Sequence, residues 1–248
     1  MNFFKFFPQT SYTFGNQSTN DTFRNISIYA DTIDQVKDNL TMYENYNVLD
    51  GERPDIVSQK LYDSPEFHWT FYFLNDHVKE RGWPLTQKQL FALASKRFPN
   101  RVLRLNIDIS TILKVGQILS GTINGATAKI VHRDTDNLQL TLSEISQGFN
   151  TTQGYQVTNA DGTITTIAPN NLISLVDEVN AIHHYENASG EVIDLVDSNG
   201  AFVEGANHIK ITNLEHYIRA NDELKKIRVF RPGSIIQIAD AFKRAVRS

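Results

Sequence analysis

The chain contains no cysteine, which removes disulfides, thiolate zinc sites, iron–sulfur clusters and cysteine nucleophiles from consideration. It also lacks any run of about 18 apolar residues, the length a helix needs to span a bilayer. A formal net charge of −4 over 248 residues leaves no cationic excess to recruit phosphates. Nowhere is there a P-loop, a dinucleotide glycine fingerprint, a G-x-S-x-G elbow or an H-E-x-x-H helix. These absences predict a protein that is not an enzyme, holds no cofactor or metal, and meets neither nucleic acid nor membrane. At the N-terminus, MNFFKFFPQTSYTFG sets Lys5 inside a phenylalanine cluster and ends it at Pro8, which is not the order of a signal peptide. The N-x-S/T matches at Asn16, Asn20, Asn25, Asn39, Asn150 and Asn187 are therefore read as unglycosylated.

What is present is an ordinary folding composition, 40% hydrophobic and 21% charged, long enough for one large or two to three small domains. The pattern predicts an α+β protein in four segments. Residues 1–45 read as an N-terminal arm and extended segment, carrying Phe3, Phe4, Phe6 and Phe7, a polar loop and a short helix through Ile33, Val36 and Leu40. Residues 46–111 read as a strand, a turn at Asp50-Gly51, two helices and a third. Pro54 suits a first helical position, with Ile56, Val57 and Leu61 facing inward. Ser64 caps a second helix through Phe67, Trp69, Phe71 and Leu74. The third, carrying Leu90, Leu93 and Ala94, starts at the capping box Thr86 to Gln89 and stops before Pro99.

From 112 to 176 short β-rich runs alternate with turn signals, among them Asn124-Gly125 and Asp161-Gly162, predicting a small all-β, barrel-like insert. Residues 177–248 read as a hairpin around Ser189-Gly190 and a C-terminal helix. That helix starts at Ser234 and carries an apolar stripe of Ile235, Ile238, Phe242 and Val246.

The candidate chemistry is sparse. His183 and His184 are adjacent in a predicted strand, where neighbours point to opposite faces, so the pair is not expected to chelate one ion. His68 and His77 have neither of the helical spacings that bring ligands together. Asp134, Asp136 and Asn137 start like a calcium loop, but Gln139 stands where the sharp turn needs glycine, so a polar hairpin turn is predicted. Asp50, Glu52, Asp55 and Glu66 are better placed for turn and helix-start duty than as a glycosidase pair.

Tyr46, Val48, Gly51-Glu52, Ile56, Leu61-Tyr62 and Asn75 match the pattern of a LysM module. More specifically, DGERPDIVSQKLYDSPEFHWTFYFLN resembles the LysM-like part of the small baseplate wedge subunit of T-even-like contractile-tailed bacteriophages. The likeness extends to FFPQTSYTFGNQSTN, AIHHYENASGEVID and ITNLEHYIRANDELKKIRVFRPGSIIQIADAFKRAV, leaving 112–176 as the departure. It implies a virion protein of the tail baseplate, assembled in the host cytoplasm in six copies or a multiple. Such a subunit links neighbouring wedges around the central hub, with other wedge subunits and the sheath-initiating protein as partners. LysM folds elsewhere bind N-acetylglucosamine polymers, so the alternative is a peptidoglycan-binding module of a tail protein or lysin. The expected partner interface is Phe3, Phe4, Phe6, Phe7, Trp69, Arg228, Arg231 and Phe242. Arg219, Lys225 and Lys226, mixed with Asp222 and Glu223, are expected to tune register at such contacts.

Overall fold

The computed structural model describes residues 8–13, 15, 21–24, 43–194 and 208–247. Phe3, Phe4, Phe6 and Phe7, and the helix expected through Ile33, Val36 and Leu40, lie outside the described residues. The described chain is mixed α+β and builds several separate sheets. Among the described residues no helix is long and apolar enough to cross a membrane.

The first strands, β1 (Gln9–Tyr12) and β2 (Asp21–Arg24), form an exposed antiparallel pair. Strand β3 (Tyr43–Asn47) leads into a turn at Asp50-Gly51, where Gly51 adopts φ +83°, a left-handed value that suits glycine. Helix α1 (Pro54–Tyr62) starts with proline at its first turn, where the missing N–H costs nothing. Its inward face is Val57, Ser58 and Tyr62; Ile56 is 49% exposed, not inward as expected. Ile56 is four residues from exposed Lys60 and so shares its outer stripe, whereas Val57 and Leu61 share the inner one.

Ser64 Oγ accepts the Glu66 amide and opens a 3-10 turn, Pro65–His68, that runs straight into α2 (Trp69–Leu74). After Asn75 come α3 (Asp76–Arg81) and then α4 (Gln87–Arg97), which buries Leu90 and Ala94 but leaves Leu93 46% exposed.

The chain divides into two compact units, residues 1–86 with 220–248, and residues 87–219. In the second unit, β4 (Arg101–Leu105), β5 (Ile118–Gly121), β6 (Thr127–Asp134), β7 (Gln139–Ser143), β8 (Tyr155–Thr158), β9 (Ile164–Ile167) and β10 (Leu172–Asp177) form one antiparallel sheet. The order is β10-β4-β7-β6-β5-β8-β9, with no ladder joining β10 to β9. The sheet therefore draws on residues 101–177, with β4 inserted between β10 and β7. RVLRL supplies the apolar side chains, Val102, Leu103 and Leu105 all being buried. The core holds Leu103, Ile130, Leu140, Leu142, Tyr155 and Val157.

The turn after β6 is the predicted polar hairpin: Asp134 Oδ1 accepts the Asn137 amide at 3.0 Å and Leu138 takes φ +54°. A three-stranded sheet follows from β11 (Ile182–Glu186), β12 (Val192–Ile193) and β13 (Ile209–Thr212) in the order β12-β11-β13. The predicted hairpin around Ser189-Gly190 joins β11 to β12, with Gly190 at φ +80°.

Helix α5 (Asn213–Lys225) precedes β14 (Lys226–Phe230), and a 3-10 turn at Pro232–Ser234 leads into α6 (Ile235–Arg247). Strand β14 pairs antiparallel with β3, from Lys226↔Asn47 to Phe230↔Tyr43. The strand, helix, helix segment is thus closed by a strand from the far end of the sequence. A five-residue strand has to satisfy its backbone groups and cover its apolar face, and β14 does both. Ile227, Val229 and Phe230 enter one core with Val48, Val57 and Phe71.

Candidate functional site

Where β3, β14 and the α2–α3 elbow meet, a cleft of about 650 Å³ has Asn45, Asn47, Asp76, His77, Lys226 and Arg228 in its polar wall. Asn75 lies at its base, 3% exposed, with its carboxamide fully engaged. Its Nδ2 donates to the carbonyls of Phe71 and Arg228, each at 2.8 Å, and its Oδ1 accepts the Arg228 amide at 2.8 Å. One side chain thereby satisfies both backbone groups of a β14 residue. Asn221 does the same for Leu85 (Oδ1 from the amide at 2.8 Å, Nδ2 to the carbonyl at 3.0 Å). Buried amides and carbonyls need partners, and carboxamides offer a donor and an acceptor side by side. In the cleft wall, the buried Nε2 of His77 has no hydrogen-bond partner among the described residues, a group that water or a polar ligand would satisfy.

The turn between β3 and α1 is pinned by Glu52. Its Oε2 accepts the Tyr46 hydroxyl at 2.9 Å and the Leu49 amide at 3.0 Å, while Lys60 Nζ bonds Oε1. The Glu52 carbonyl accepts Trp83 Nε1 at 2.6 Å. Partial burial pushes the Glu52 carboxyl up, but the hydrogen bonds from Lys60, the Leu49 amide and Tyr46 outweigh it and hold it below its ordinary value. A carboxylate depressed in the folded state stabilises fully above the unfolded value of about 4.3 and loses that contribution as pH falls through the folded value. Urea midpoints measured from pH 6 to pH 3 should therefore fall more steeply in the native chain than in Glu52→Gln; parallel curves would refute the assignment. Asp55 pairs with Arg53 at 3.1 Å, and Glu66 sits in the first turn of its 3-10 segment, the helix-start duty predicted for both.

The expected interface residues divide. Arg228 and Arg231 are exposed, and Arg228 is in the cleft wall. Trp69 is half-buried, edge-on to Phe73 at 5.9 Å and 4.8 Å from the Phe242 ring. Phe242 is 1% exposed, so its expected role on a partner surface is corrected: it is core. The stripe Ile235, Ile238 and Phe242 is real, but it is covered by Trp69 and Phe73 of the same unit. Stripe periodicity reports that a face is buried, not by which chain. Val246 is outside the residues whose side chains are described. Of the register-setting charges, Arg219 bonds Glu186 and Glu215, Lys225 bonds Asp222 at 2.7 Å, and Lys226 bonds Glu223 at 2.6 Å.

The histidines overturn an expectation. The β11–β13 ladder shifts register between Ile182 and His184, and this irregularity breaks strict alternation. His183 Nδ1 consequently lies 2.8 Å from His184 Nδ1. His216, in the first turn of α5, stacks on His183 with centroids 4.0 Å apart and planes at 7°. Gln139, 4% exposed, holds the shifted segment: its Nε2 donates to the Ile182 carbonyl at 2.7 Å and its Oε1 accepts the Ile182 amide at 3.1 Å. Sequence reasoning missed His216, since no spacing rule connects the start of α5 to β11. By contrast, His68 Nδ1 meets the Pro65 carbonyl at 2.7 Å, a local bond.

Compared with protein-family models and with curated proteins, the chain matches none.

Proposed function

We propose that this protein is a structural subunit of a contractile phage tail baseplate wedge, linking neighbouring wedges around the hub. The reading starts from the motif run of residues 46–75. One observation carries it: the motif positions with polar side chains are used internally. Tyr46 bonds Glu52, Tyr62 donates to the Phe230 carbonyl at 3.0 Å, and Asn75 fastens β14. In this reading the segment closed by β14 is a LysM-like βααβ unit split by a long insertion, and its motif serves cohesion instead of glycan recognition. A shared fold does not transfer a ligand. The exposed Arg228 and Arg231 are offered to other wedge subunits or the sheath initiator.

Antibodies against the chain should decorate the baseplate of purified contractile-tailed particles at sixfold positions, and particles made without it should stall as unjoined wedges. A chain absent from finished particles removes the proposal. The second reading, peptidoglycan binding, is favoured by the polar cleft and the unpartnered His77 ring nitrogen. It predicts retention on insoluble peptidoglycan that Arg228→Glu with His77→Ala abolishes; no retention by the native chain excludes it.

A further inference from the structure

The geometry points to a transition-metal site, of the kind that takes Zn²⁺, formed by His183, His184 and His216. One nitrogen from each ring lies within 4.8 Å of the others. With zinc–nitrogen distances of about 2.0–2.1 Å, tetrahedral ligands stand about 3.4 Å apart, so small ring rotations would close the set. Two features mark it as more than three neighbouring rings.

The first is the carboxylate behind His184. His184 Nε2 is 3.0 Å from Glu186 Oε1, and Glu186 is itself held by Arg219 Nη1 at 2.9 and 2.8 Å, with Arg219 Nη2 on Glu215 at 3.0 Å. A carboxylate that accepts a hydrogen bond from Nε2–H fixes the tautomer, leaving the Nδ1 lone pair of His184 directed at His183. Metal-binding histidines are oriented by outer carboxylates in this way. The second is the Nδ1 to Nδ1 contact. At 2.8 Å it exists without metal only if His183 Nδ1–H donates into the His184 lone pair. When the His183 proton moves to its Nε2, both rings stay neutral and a divalent ion can take the place of that proton, accepting both Nδ1 lone pairs.

Three imidazoles suit zinc, nickel, copper or cobalt and not magnesium or calcium, which take oxygen. Bound metal would staple β11 to the first turn of α5. His183 is exposed, so solvent reaches the cluster, and water or a donor from another molecule would complete a tetrahedral set.

The test uses the untagged full chain, stripped with chelator and dialysed. Zn²⁺ should bind one per chain with a saturable rise in melting temperature, Mg²⁺ should not, and X-ray absorption should count three imidazole ligands. His184→Ala and His216→Gln should weaken Zn²⁺ binding at least a hundredfold, Glu186→Gln about tenfold or more, and His68→Ala not at all. Absence of saturable binding, fewer than three imidazoles on the bound ion, or unchanged affinity in His216→Gln would overturn the site. The absorption measurement on the native chain decides the matter even if a variant fails to fold.

Discussion

Phe242→Asp should unfold the unit made of residues 1–86 and 220–248 while the β-rich unit stays folded. Phe242 is 1% exposed and packs on Trp69 and on Phe73 at 5.5 Å. Truncating such a ring alone costs about 3–5 kcal/mol. The aspartate also needs its carboxylate desolvated without a partner, which adds several kcal/mol more or forces protonation. The total reaches the whole stability of an ordinary domain, about 5–15 kcal/mol. The readout is built in. Both tryptophans, Trp69 and Trp83, belong to this unit, so intrinsic tryptophan fluorescence reports on it alone. The variant should show a red-shifted emission at zero denaturant with most of the far-ultraviolet β signal retained. Ile236→Asp, six residues earlier on the same helix at 65% exposure, should change the urea midpoint little. Native-like emission from Phe242→Asp would mean that the helix face is not core.

Asn75→Ala should cost about 3 kcal/mol, measured by the same fluorescence in urea. The substitution deprives the Arg228 amide and carbonyl of their shared partner and removes a bond to the Phe71 carbonyl, and each buried orphan costs about 1–3 kcal/mol. Asn75→Asp is the sharper probe. It keeps an acceptor for the Arg228 amide but points a carboxylate oxygen at two carbonyls that in the native chain each accept a hydrogen bond from Nδ2 at 2.8 Å. It should therefore be no more stable than Asn75→Ala at neutral pH and regain stability as acid protonates it. An Asn75→Asp chain as stable as the native one would show that the carboxamide does not hold β14. Because this clamp is one of the bonds that fasten β14 to the module, both variants should also lose baseplate incorporation if the proposed function holds.

Helix starts were legible residue by residue. Pro54 and Pro65 pre-set the first turn, and Ser64 offers an acceptor to Glu66, all local effects that need no knowledge of the rest of the chain. The same is true of the glycine turns at Gly125 and Gly162, where positive φ is required. The inward face of α1 was read correctly at Val57 and Leu61 but one residue too wide at Ile56, because three apolar residues within six fit two adjacent stripes and only the covering core chooses between them. The clustering of His183, His184 and His216 was illegible for a related reason. Alternation in a strand is a local rule, and a register shift stabilised by Gln139, from another sheet, suspends it.

What the sequence determined alone is everything set within a few residues: the α+β content, the turns, the helix beginnings and the exclusion of thiol chemistry. What the tertiary structure decided is pairing over long separations, namely β14 on β3, Asn75 on Arg228, Phe242 on Trp69 and His216 on His183. Local preferences are energies of neighbouring atoms and are written in short windows. Long-range partners are chosen by which arrangement buries the most apolar surface while leaving no backbone group unbonded, and that choice belongs to the whole chain.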